Sequence, residues 1–171
     1  MNPVNLILPL MLIFDFSPTA DLENWAIVND TVMGGRSDAT LTVSEDGHGV
    51  FSGHVSLENN GGFSSLRYGL PERADVSNYA HAVVRLRGDG KIYQFRVKSA
   101  NRDRQSYVTD FKTSGEWEEV RLPLREMVPR FRGRALDLPA YPGQTLSEVR
   151  FLIGNKRAED FRLEIDRIRL E

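Results

Sequence analysis

The sequence of 171 residues predicts an all-β fold, a two-sheet β-sandwich or jelly roll. Three observations predict this fold class. About ten short segments alternate apolar and polar residues, as half-buried strands do. Turn sequences rich in Gly, Pro, Asn and Asp separate these segments. No segment sustains the apolar periodicity of an amphipathic helix.

The composition indicates one ordinary globular domain and excludes several classes of function. The chain is 40% apolar and 27% charged, and its formal net charge is -2. Such a balance gives no overall attraction to nucleic acid or anionic lipid, so no nucleic-acid partner is expected. Cysteine is absent, which excludes disulfides, thiolate nucleophiles and cysteine metal sites. We expect a single domain over residues 1–171, with approximately residues 10–171 as the folded core.

The N-terminal residues 4–14 are mostly apolar. No Lys or Arg precedes them and Pro9 interrupts them, unlike the apolar region of a signal peptide. The segment is also too short to span a bilayer. We therefore expect a strand at residues 10–16, no signal peptide and no transmembrane segment. The segment lacks the Arg-rich, acid-poor composition of a transit peptide, so we expect a cytoplasmic protein that reaches a membrane only through a partner.

Residues 25–37 form the densest cluster of special residues in the chain. Its start is apolar and suits a short strand, whereas the side chains of Asn29 and Asp30 can bond to nearby backbone groups and hold a turn. Gly34 and Gly35 permit positive φ or the close approach of another group. The segment is either a tight turn with Trp25 in the core or a binding loop. Its candidate binding residues are Asn29, Asp30, Met33, Gly34, Gly35, Arg36 and Ser37.

The strand that begins at residue 38 alternates in the same way and ends at the turn of residues 45–47. After it, residues 59–62 suit a hairpin loop, in which Val55 lies opposite Leu66 on the core-facing side. The other side of this hairpin is polar but carries Phe63 beside Arg67. Either a second layer of protein covers Phe63, or this aromatic residue belongs to a binding surface.

A second hairpin is predicted at Asp89 and Gly90, a strong type I′ turn signal. It would join residues 83–88 to residues 91–98 and place the apolar side chains of both strands on one face. The cations on the other face include Arg85, Arg87 and Arg96. Like charges this close repel unless carboxylates, a ligand or water intervene, so this face is either solvated or a site.

The rest of the chain continues as strands. They are predicted at residues 107–111, 117–122, 149–153 and 161–170, the last with a β-bulge near Asp166. Between them, residues 132–143 contain Pro139 and Pro142 and lack alternation, which predicts a long surface loop.

No catalytic constellation is recognisable in the sequence. It has no Gly-x-Ser-x-Gly elbow, and residues 88–90 lack the spacing of a dinucleotide-binding loop. The histidines, His48, His54 and His81, fall on different strands. We therefore expect a protein that is not an enzyme, with no cofactor and no histidine metal site. A structural Ca²⁺ held by Asp and backbone oxygens stays open.

Several motifs together resemble one family. They are Asn-Asp-Thr-Val-Met-Gly-Gly-Arg-Ser at 29–37, Asn-Asn-Gly-Gly-Phe at 59–63, Arg-Gly-Asp-Gly at 87–90 and Phe-Arg-Leu-Glu-Ile-Asp-Arg-Ile at 161–168. From residue 14 onward the chain is similar to the complex I intermediate-associated protein family, named for its thirty-kilodalton mitochondrial member. The resemblance implies a galactose-binding-like jelly roll and a chaperone-like assembly factor for respiratory NADH dehydrogenase.

Two functions follow as hypotheses. The first is a non-enzymatic binding or assembly protein, whose partners by resemblance are subunits of the respiratory complex. The alternative is a carbohydrate-binding jelly-roll module, in which Phe63, Tyr68 or Trp117 stacks on sugar rings. We expect one recognition surface, formed by the loop at residues 29–37 beside the polar faces of the two hairpins. Its sheet residues are Phe63, Arg67, Arg85, Arg87 and Arg96.

Overall fold

The computed structural model describes residues 9–171, which form two antiparallel β-sheets around a shared core. The first part of the apolar segment 4–14 lies outside the described residues. Besides strands, the described chain has only short 3₁₀ turns, at Asp30–Met33, Glu58–Asn60 and Leu124–Glu126. Within residues 9–171, no helix is long and apolar enough to cross a membrane. The predicted two-sheet, all-β fold is confirmed.

The described residues contain thirteen strands. In chain order they are β1 (Met11–Asp15), β2 (Trp25–Asn29), β3 (Asp38–Val43), β4 (Gly49–Val55), β5 (Ser64–Asp75), β6 (His81–Arg87), β7 (Ile92–Lys98), β8 (Ser106–Lys112), β9 (Trp117–Pro123), β10 (Val128–Phe131), β11 (Arg134–Ala135), β12 (Thr145–Ile153) and β13 (Glu159–Leu170). One sheet has six strands in the order β3-β4-β13-β6-β9, with β1 beside β13. The other has seven, in the order β11-β10-β8-β7-β12-β5-β2.

The core lies between the two sheets. Phe51 and Leu163 enter it from the six-stranded sheet and are fully buried. Phe95 and Phe151 enter it from the seven-stranded sheet, and their rings meet edge to face with 5.4 Å between centroids. Burial stabilises the fold by about 1.5–3 kcal/mol for each large apolar side chain. The alternation in the sequence therefore identifies the inward positions correctly on both sheets.

The predicted hairpin of β4 and β5 is wrong. β4 pairs with β3 and β13 in the six-stranded sheet, whereas β5 pairs with β2 and β12 in the seven-stranded sheet. Val55 and Leu66 are both buried, as expected, but they enter the core from opposite sheets. Alternation tells which side chains point inward and not which sheet supplies them, so one pattern suits both a hairpin and a crossover.

The hairpin predicted at Asp89 and Gly90 is wrong for the same reason. β6 pairs with β9 and β13, whereas β7 pairs with β8 and β12. Gly90 has the positive φ of a turn, 81°, but this turn carries the chain from one sheet to the other. The Asp89 carboxylate fixes the crossover, because it accepts hydrogen bonds from the Tyr93 hydroxyl at 3.0 Å and the Arg162 amide at 2.9 Å. The outer faces of β6 and β7 thus lie on opposite sides of the sandwich.

Other local predictions are confirmed. β1 is a strand of the six-stranded sheet, as expected for residues 10–16. The β-bulge expected near Asp166 is present, since the register of β13 against β6 shifts between Ile165 and Arg167. In the region predicted as a long loop, residues 132–143, the only strand is the two-residue β11.

Candidate functional site

The loop after β2 is organised around one buried carboxylate, that of Asp30. Asp30 is fully buried and accepts hydrogen bonds from the Ser37 hydroxyl at 2.6 Å and the Ser37 amide at 3.0 Å. It also accepts them from the backbone amides of Gly62 at 2.6 Å and Phe63 at 3.3 Å. These four residues, which we call the Asp30 knot, fasten the loop to the start of β5.

The hydrogen bonds of the Asp30 knot determine the direction in which the pKa of the Asp30 carboxyl is shifted. Desolvation by burial raises the pKa of the Asp30 carboxyl, but the hydrogen bonds from Ser37, Gly62 and Phe63 outweigh it and hold the pKa below its usual range. A carboxylate of this kind stabilises the fold above its unfolded-state pKa, and that stabilisation is lost as the pH falls through its folded-state pKa. The Asp30 knot should therefore weaken only in strongly acidic solution.

Two other residues of the predicted binding loop differ in their surroundings. Asn29 donates its side-chain amide to the Ser37 carbonyl at 3.2 Å and accepts a hydrogen bond from the Ser64 hydroxyl at 2.5 Å. Its side chain is thus satisfied within the protein. Arg36 is exposed, with its Nε 4.0 Å from a carboxylate oxygen of Glu58. An exposed ion pair at that distance adds little to stability.

The glycines of this loop have structural roles. Met33 is the last residue of the 3₁₀ turn, and Gly34 follows it with a left-handed φ of 90°. A Cβ on Gly35 would lie 2.3 Å from the carboxyl carbon of Asp30. The pattern Gly34-Gly35 is therefore required by the turn and by the packing against the Asp30 knot.

Gly34→Ala should lower the free energy of unfolding by about 1 kcal/mol, since a non-glycine residue in the left-handed region costs about 1–2 kcal/mol. No described atom lies within 4 Å of the new Cβ, so strain is the main cost. Gly35→Ala should cost more, because its Cβ would collide with Asp30. Urea denaturation measures both values, and a Gly34→Ala protein as stable as the wild type would contradict the strained turn.

The cations on the outer face of the six-stranded sheet have acidic partners. The Nε of Arg85 lies 3.1 Å from a carboxylate oxygen of Asp166, and the Nε of Arg87 lies 2.5 Å from one of Glu164. Both guanidinium groups also lie over the ring of Trp117, with Cζ 5.0 and 5.4 Å from its centroid. Carboxylates and an indole ring therefore balance these two cations within the protein.

A cleft on the outer face of the seven-stranded sheet collects cations without matching acids. Its volume is about 550 Å³, and among the described residues that line it none is Asp or Glu. Its cationic residues are Arg96, Lys98, Arg104, Arg130, Arg132, Arg150 and Lys156. Two aromatic residues, Phe63 and Phe131, also line it. We call this set the basic cleft.

The register of the seven-stranded sheet brings the arginines together. Arg150 on β12 pairs with Arg96 on β7 and with Arg67 on β5. Arg130 on β10 pairs with Ser106 on β8, the strand next to β7. Like charges opposite each other destabilise a sheet. The basic cleft therefore holds an arrangement that is unfavourable until negative charge compensates it.

The repulsion between these arginines affects the pKa of Arg96. Burial, followed by repulsion from Arg150 and Arg130, lowers the pKa of Arg96 to about 10. At neutral pH the guanidinium group stays protonated. Its Nε and Nη2 donate to the neutral amide oxygen of Gln94 at 3.0 and 2.7 Å. Within residues 9–171, Arg96 forms no salt bridge with a carboxylate.

Arg130 and Arg150 each contain a buried donor atom without an acceptor. The Nε atoms of both have no hydrogen-bond partner within the described part of the chain. Arg150 has one acidic neighbour, Glu148, whose carboxylate oxygen lies 3.4 Å from its Nη2. That acid is shared with Arg67, whose Nε lies 3.9 Å away. Unpaired buried donors and charges are costly, so the basic cleft is suited to an anion.

Phe131 holds cations at the mouth of the basic cleft. The Cζ atoms of Arg104 and Arg132 lie 5.5 and 5.3 Å from its ring centroid, within the range of cation–π attraction. Phe63, the other aromatic residue of the cleft, is half-buried and is held by the Asp30 knot. The loop at residues 29–37 thus contributes to the basic cleft indirectly, because Asp30 accepts a hydrogen bond from the Phe63 amide.

The structure divides the predicted recognition surface. Phe63 and Arg96 line the basic cleft. Arg67 lies on the same sheet but lines a neighbouring cleft. Arg85 and Arg87 lie on the opposite side of the sandwich, so the expectation of one surface is wrong. The physical reason is the crossover between β6 and β7, which sends their outer faces in opposite directions.

Sequence reasoning missed most of the basic cleft. Residues 130–134 read Arg-Phe-Arg-Gly-Arg, an interleaving of cations with an aromatic ring that marks a surface suited to anions. The pattern lies at the edge of the segment predicted as a loop, so the sequence does not show which strands it meets. Arg150 lies in a strand whose alternation indicates only the buried positions.

Sequence comparison reveals clear relatives. Residues 14–165 match the family model described as Complex I intermediate-associated protein 30 (CIA30). The chain is 26% identical to the protein named Complex I intermediate-associated protein 30, mitochondrial, of Drosophila melanogaster, over 94% of this chain and 62% of the relative. It is 25% identical to the mouse protein of the same name, over 91% of this chain and 54% of that protein. The chain therefore spans less than two thirds of the length of these relatives.

These names correct one expectation. Both relatives are named as mitochondrial proteins, which contradicts the expected cytoplasmic location. The sequence argument for that location depended on the absence of a transit-peptide composition at the start of the chain.

Solved structures share the fold. A family 11 carbohydrate-binding module from Clostridium thermocellum, in complex with a β-1,3-1,4-mixed-linked tetrasaccharide, superposes with a TM-score of 0.64 at 18% identity, over 94% of each chain. The agarase AgWH50C superposes with a TM-score of 0.62 at 14% identity, over 95% of this chain and 24% of the enzyme. The galactose-binding-like fold is therefore confirmed.

Proposed function

Because the chain belongs to the complex I intermediate-associated protein 30 family, we propose that it is a non-enzymatic binding protein in the assembly of respiratory complex I. Its partners are protein subunits of that complex, and residues 1–171 act as one domain. The observation that carries this proposal is the basic cleft, where the arginines outnumber the nearby carboxylates. Anionic groups of a partner supply the missing negative charge.

The chemistry of the basic cleft supports binding over catalysis. General acid–base catalysis uses groups whose pKa values lie near the working pH. Arg96 stays protonated at neutral pH although burial lowers its pKa to about 10, so it is not suited to exchange protons there. Guanidinium groups are instead well suited to recognising anions, because their planar donors match carboxylate and phosphate oxygens.

Affinity capture from solubilised membranes of the source cell tests this proposal. Subunits or assembly intermediates of complex I should co-purify with the tagged protein at low ionic strength. Capture should fall as salt is added, because salt screens charges that lie at a surface. Recovery of sugar polymers alone, or of no protein partner, would overturn the proposal.

Carbohydrate binding is the second candidate function. It is favoured by the family 11 module, whose structure contains a tetrasaccharide, and by the volume of the basic cleft, which is within the range of about 300–1,000 Å³ for ligand pockets. The aromatic residues argue against it. Tyr68 is 6% exposed, Trp117 lies under two arginines, and Phe131 is stacked with two more. Among these aromatic residues, Phe63 is therefore the remaining candidate for stacking on a sugar ring.

A glycan array of neutral oligosaccharides should therefore give no binding, since one half-buried phenyl ring offers little stacking area. Calorimetric titration with a mixed-linked β-glucan tetrasaccharide is the matching solution measurement. Millimolar affinity that is lost in Phe63→Ala, and kept in a Trp117→Ala control, would contradict this expectation and favour the carbohydrate reading.

A further inference from the structure

Among the described residues, the nearby carboxylates compensate only part of the positive charge of the basic cleft. Every charged residue in its lining is a cation. Lys98 donates to the backbone carbonyl of Asp103 at 2.8 Å, and Arg96 donates to the neutral oxygen of Gln94. Glu148 is the carboxylate that reaches Arg150. A cleft built in this way presents donors and charge to a ligand that carries several acceptors.

Three of these cations are held close together by the sheet. Arg96, Arg130 and Arg150 come from β7, β10 and β12, and backbone pairing sets Arg150 directly opposite Arg96. The side chain of Arg150 is only 19% exposed. The Nε atoms of Arg130 and Arg150 are sealed from solvent and lack an acceptor among residues 9–171. These two donors therefore have neither an acceptor nor solvent contact, whereas the side chains of both arginines are half-buried and partly exposed.

We propose that the basic cleft is a binding site for a phosphate monoester group, held by Arg96, Arg130 and Arg150. The inference rests on the proposed function for its location and adds the chemical class of the group that is recognised. A phosphorylated side chain of a protein partner and a small soluble phosphate ester present the same group. The experiment distinguishes these two sources.

Charge selects phosphate over the alternatives. A phosphate monoester carries about 1.5 to 2 negative charges at pH 7 and three strong acceptor oxygens. This suits a lining in which every described charged residue is Arg or Lys, and in which Asp110 and Glu148 are the acids that act on Arg96. A single carboxylate brings one negative charge and leaves the repulsion between Arg96 and Arg150 largely in place. A neutral sugar brings no charge at all.

The mouth of the basic cleft is consistent with such a ligand. Arg104 and Arg132 are kept there by stacking on Phe131, where they add positive potential along the entry path. Phe63, at another part of the lining, offers an apolar surface to the group that carries the phosphate. Specificity for the ester and not for inorganic phosphate alone would come from this contact.

Calorimetric titration of the full chain tests the inference with four probes. They are a short peptide with one phosphoserine, the same peptide with Glu at that position, glycerol phosphate, and inorganic phosphate. At least one ester should bind about tenfold or more tightly than the Glu peptide. A preference for the phosphopeptide assigns the group to a protein, and a preference for glycerol phosphate assigns it to a small ester. Binding of the Glu peptide as tight as that of both esters, or no binding of either ester, would overturn the inference.

Variants locate the binding. Arg130→Gln and Arg150→Gln remove charge while keeping most of the side-chain volume, and each should weaken ester binding by about tenfold or more. Arg104→Gln changes an exposed mouth residue, so it keeps the test valid if the other two variants do not fold. Arg85→Gln, on the opposite face, is the matched control and should bind normally. Unchanged affinity in all folded cleft variants would refute the site.

The two proposals fail separately. Capture of complex I subunits by a protein that binds neither ester overturns the phosphate inference and leaves the proposed function intact. Ester binding by a protein that captures no respiratory subunit supports the phosphate inference and overturns the proposed function.

Discussion

Asp30→Ala should lower the free energy of unfolding by about 3–5 kcal/mol, because buried donors left without an acceptor cost about 1–3 kcal/mol each. The donors that would lose their acceptor are those of Ser37, Gly62 and Phe63, which in the wild type donate to the Asp30 carboxylate. Urea unfolding followed by tryptophan fluorescence measures the loss. Trp25 is 8% exposed on the strand that precedes Asp30 and is a suitable reporter.

A matched control uses another carboxylate. The side chain of Asp160 is 93% exposed and pairs with His54, so Asp160→Ala should change stability by less than about 0.5 kcal/mol. Equal stability of Asp30→Ala and Asp160→Ala would contradict the structural role of the Asp30 knot.

The pKa of Asp30 is held below its usual range. The stability gap between the wild type and Asp30→Asn should therefore persist through mild acid and close only as the pH falls through that pKa.

Reversing two charges in the basic cleft should abolish capture of the protein partner. Arg96→Glu combined with Arg150→Glu replaces two cations by two anions in a cleft whose lining holds no described acid. The introduced carboxylates repel an anionic partner, and like-charge contact across an interface costs several kcal/mol, so affinity should fall by about 100-fold or more. Quantitative mass spectrometry of the captured proteins measures the loss.

The control for this variant carries the same change in net charge elsewhere. Arg73→Glu combined with Arg121→Glu alters two exposed residues outside the basic cleft. It should retain capture within about threefold, because surface charges away from the contact act mainly through screened long-range fields. Equal loss of capture in both double variants would mean that net charge, and not the basic cleft, governs binding. Thermal melts confirm that each protein is folded.

The sequence predicts burial far better than strand pairing. Val84 and Leu86 on β6, like Tyr93 and Phe95 on β7, are fully buried as the alternation indicates. Yet the two strands belong to different sheets, because an inward-facing pattern is the same on either side of a sandwich. The turn signal at Gly90 is real, but it fixes only local φ and not the direction in which the chain continues.

The same limit explains the outcome for the candidate site. Phe63 and Arg96 can be predicted as outward residues because each breaks or opposes an apolar alternation. Their meeting with Arg130 and Arg150 depends on the strand order of the seven-stranded sheet, which joins segments far apart in sequence. Local motifs can be predicted more reliably. The cluster at residues 29–37 is a shaped loop, as predicted, because most of its side-chain hydrogen bonds join residues of the loop to one another or to the start of β5.

The most direct test of the basic cleft as the recognition surface is hydrogen–deuterium exchange of the protein, free and bound to its captured partner. Binding should slow exchange in the segments that border the basic cleft, residues 60–63, 101–106 and 130–134. The outer face of the six-stranded sheet, including β6 and β9, should exchange at the same rate in both states. Protection confined to β6 and β9, with unchanged exchange around the basic cleft, would contradict the assignment.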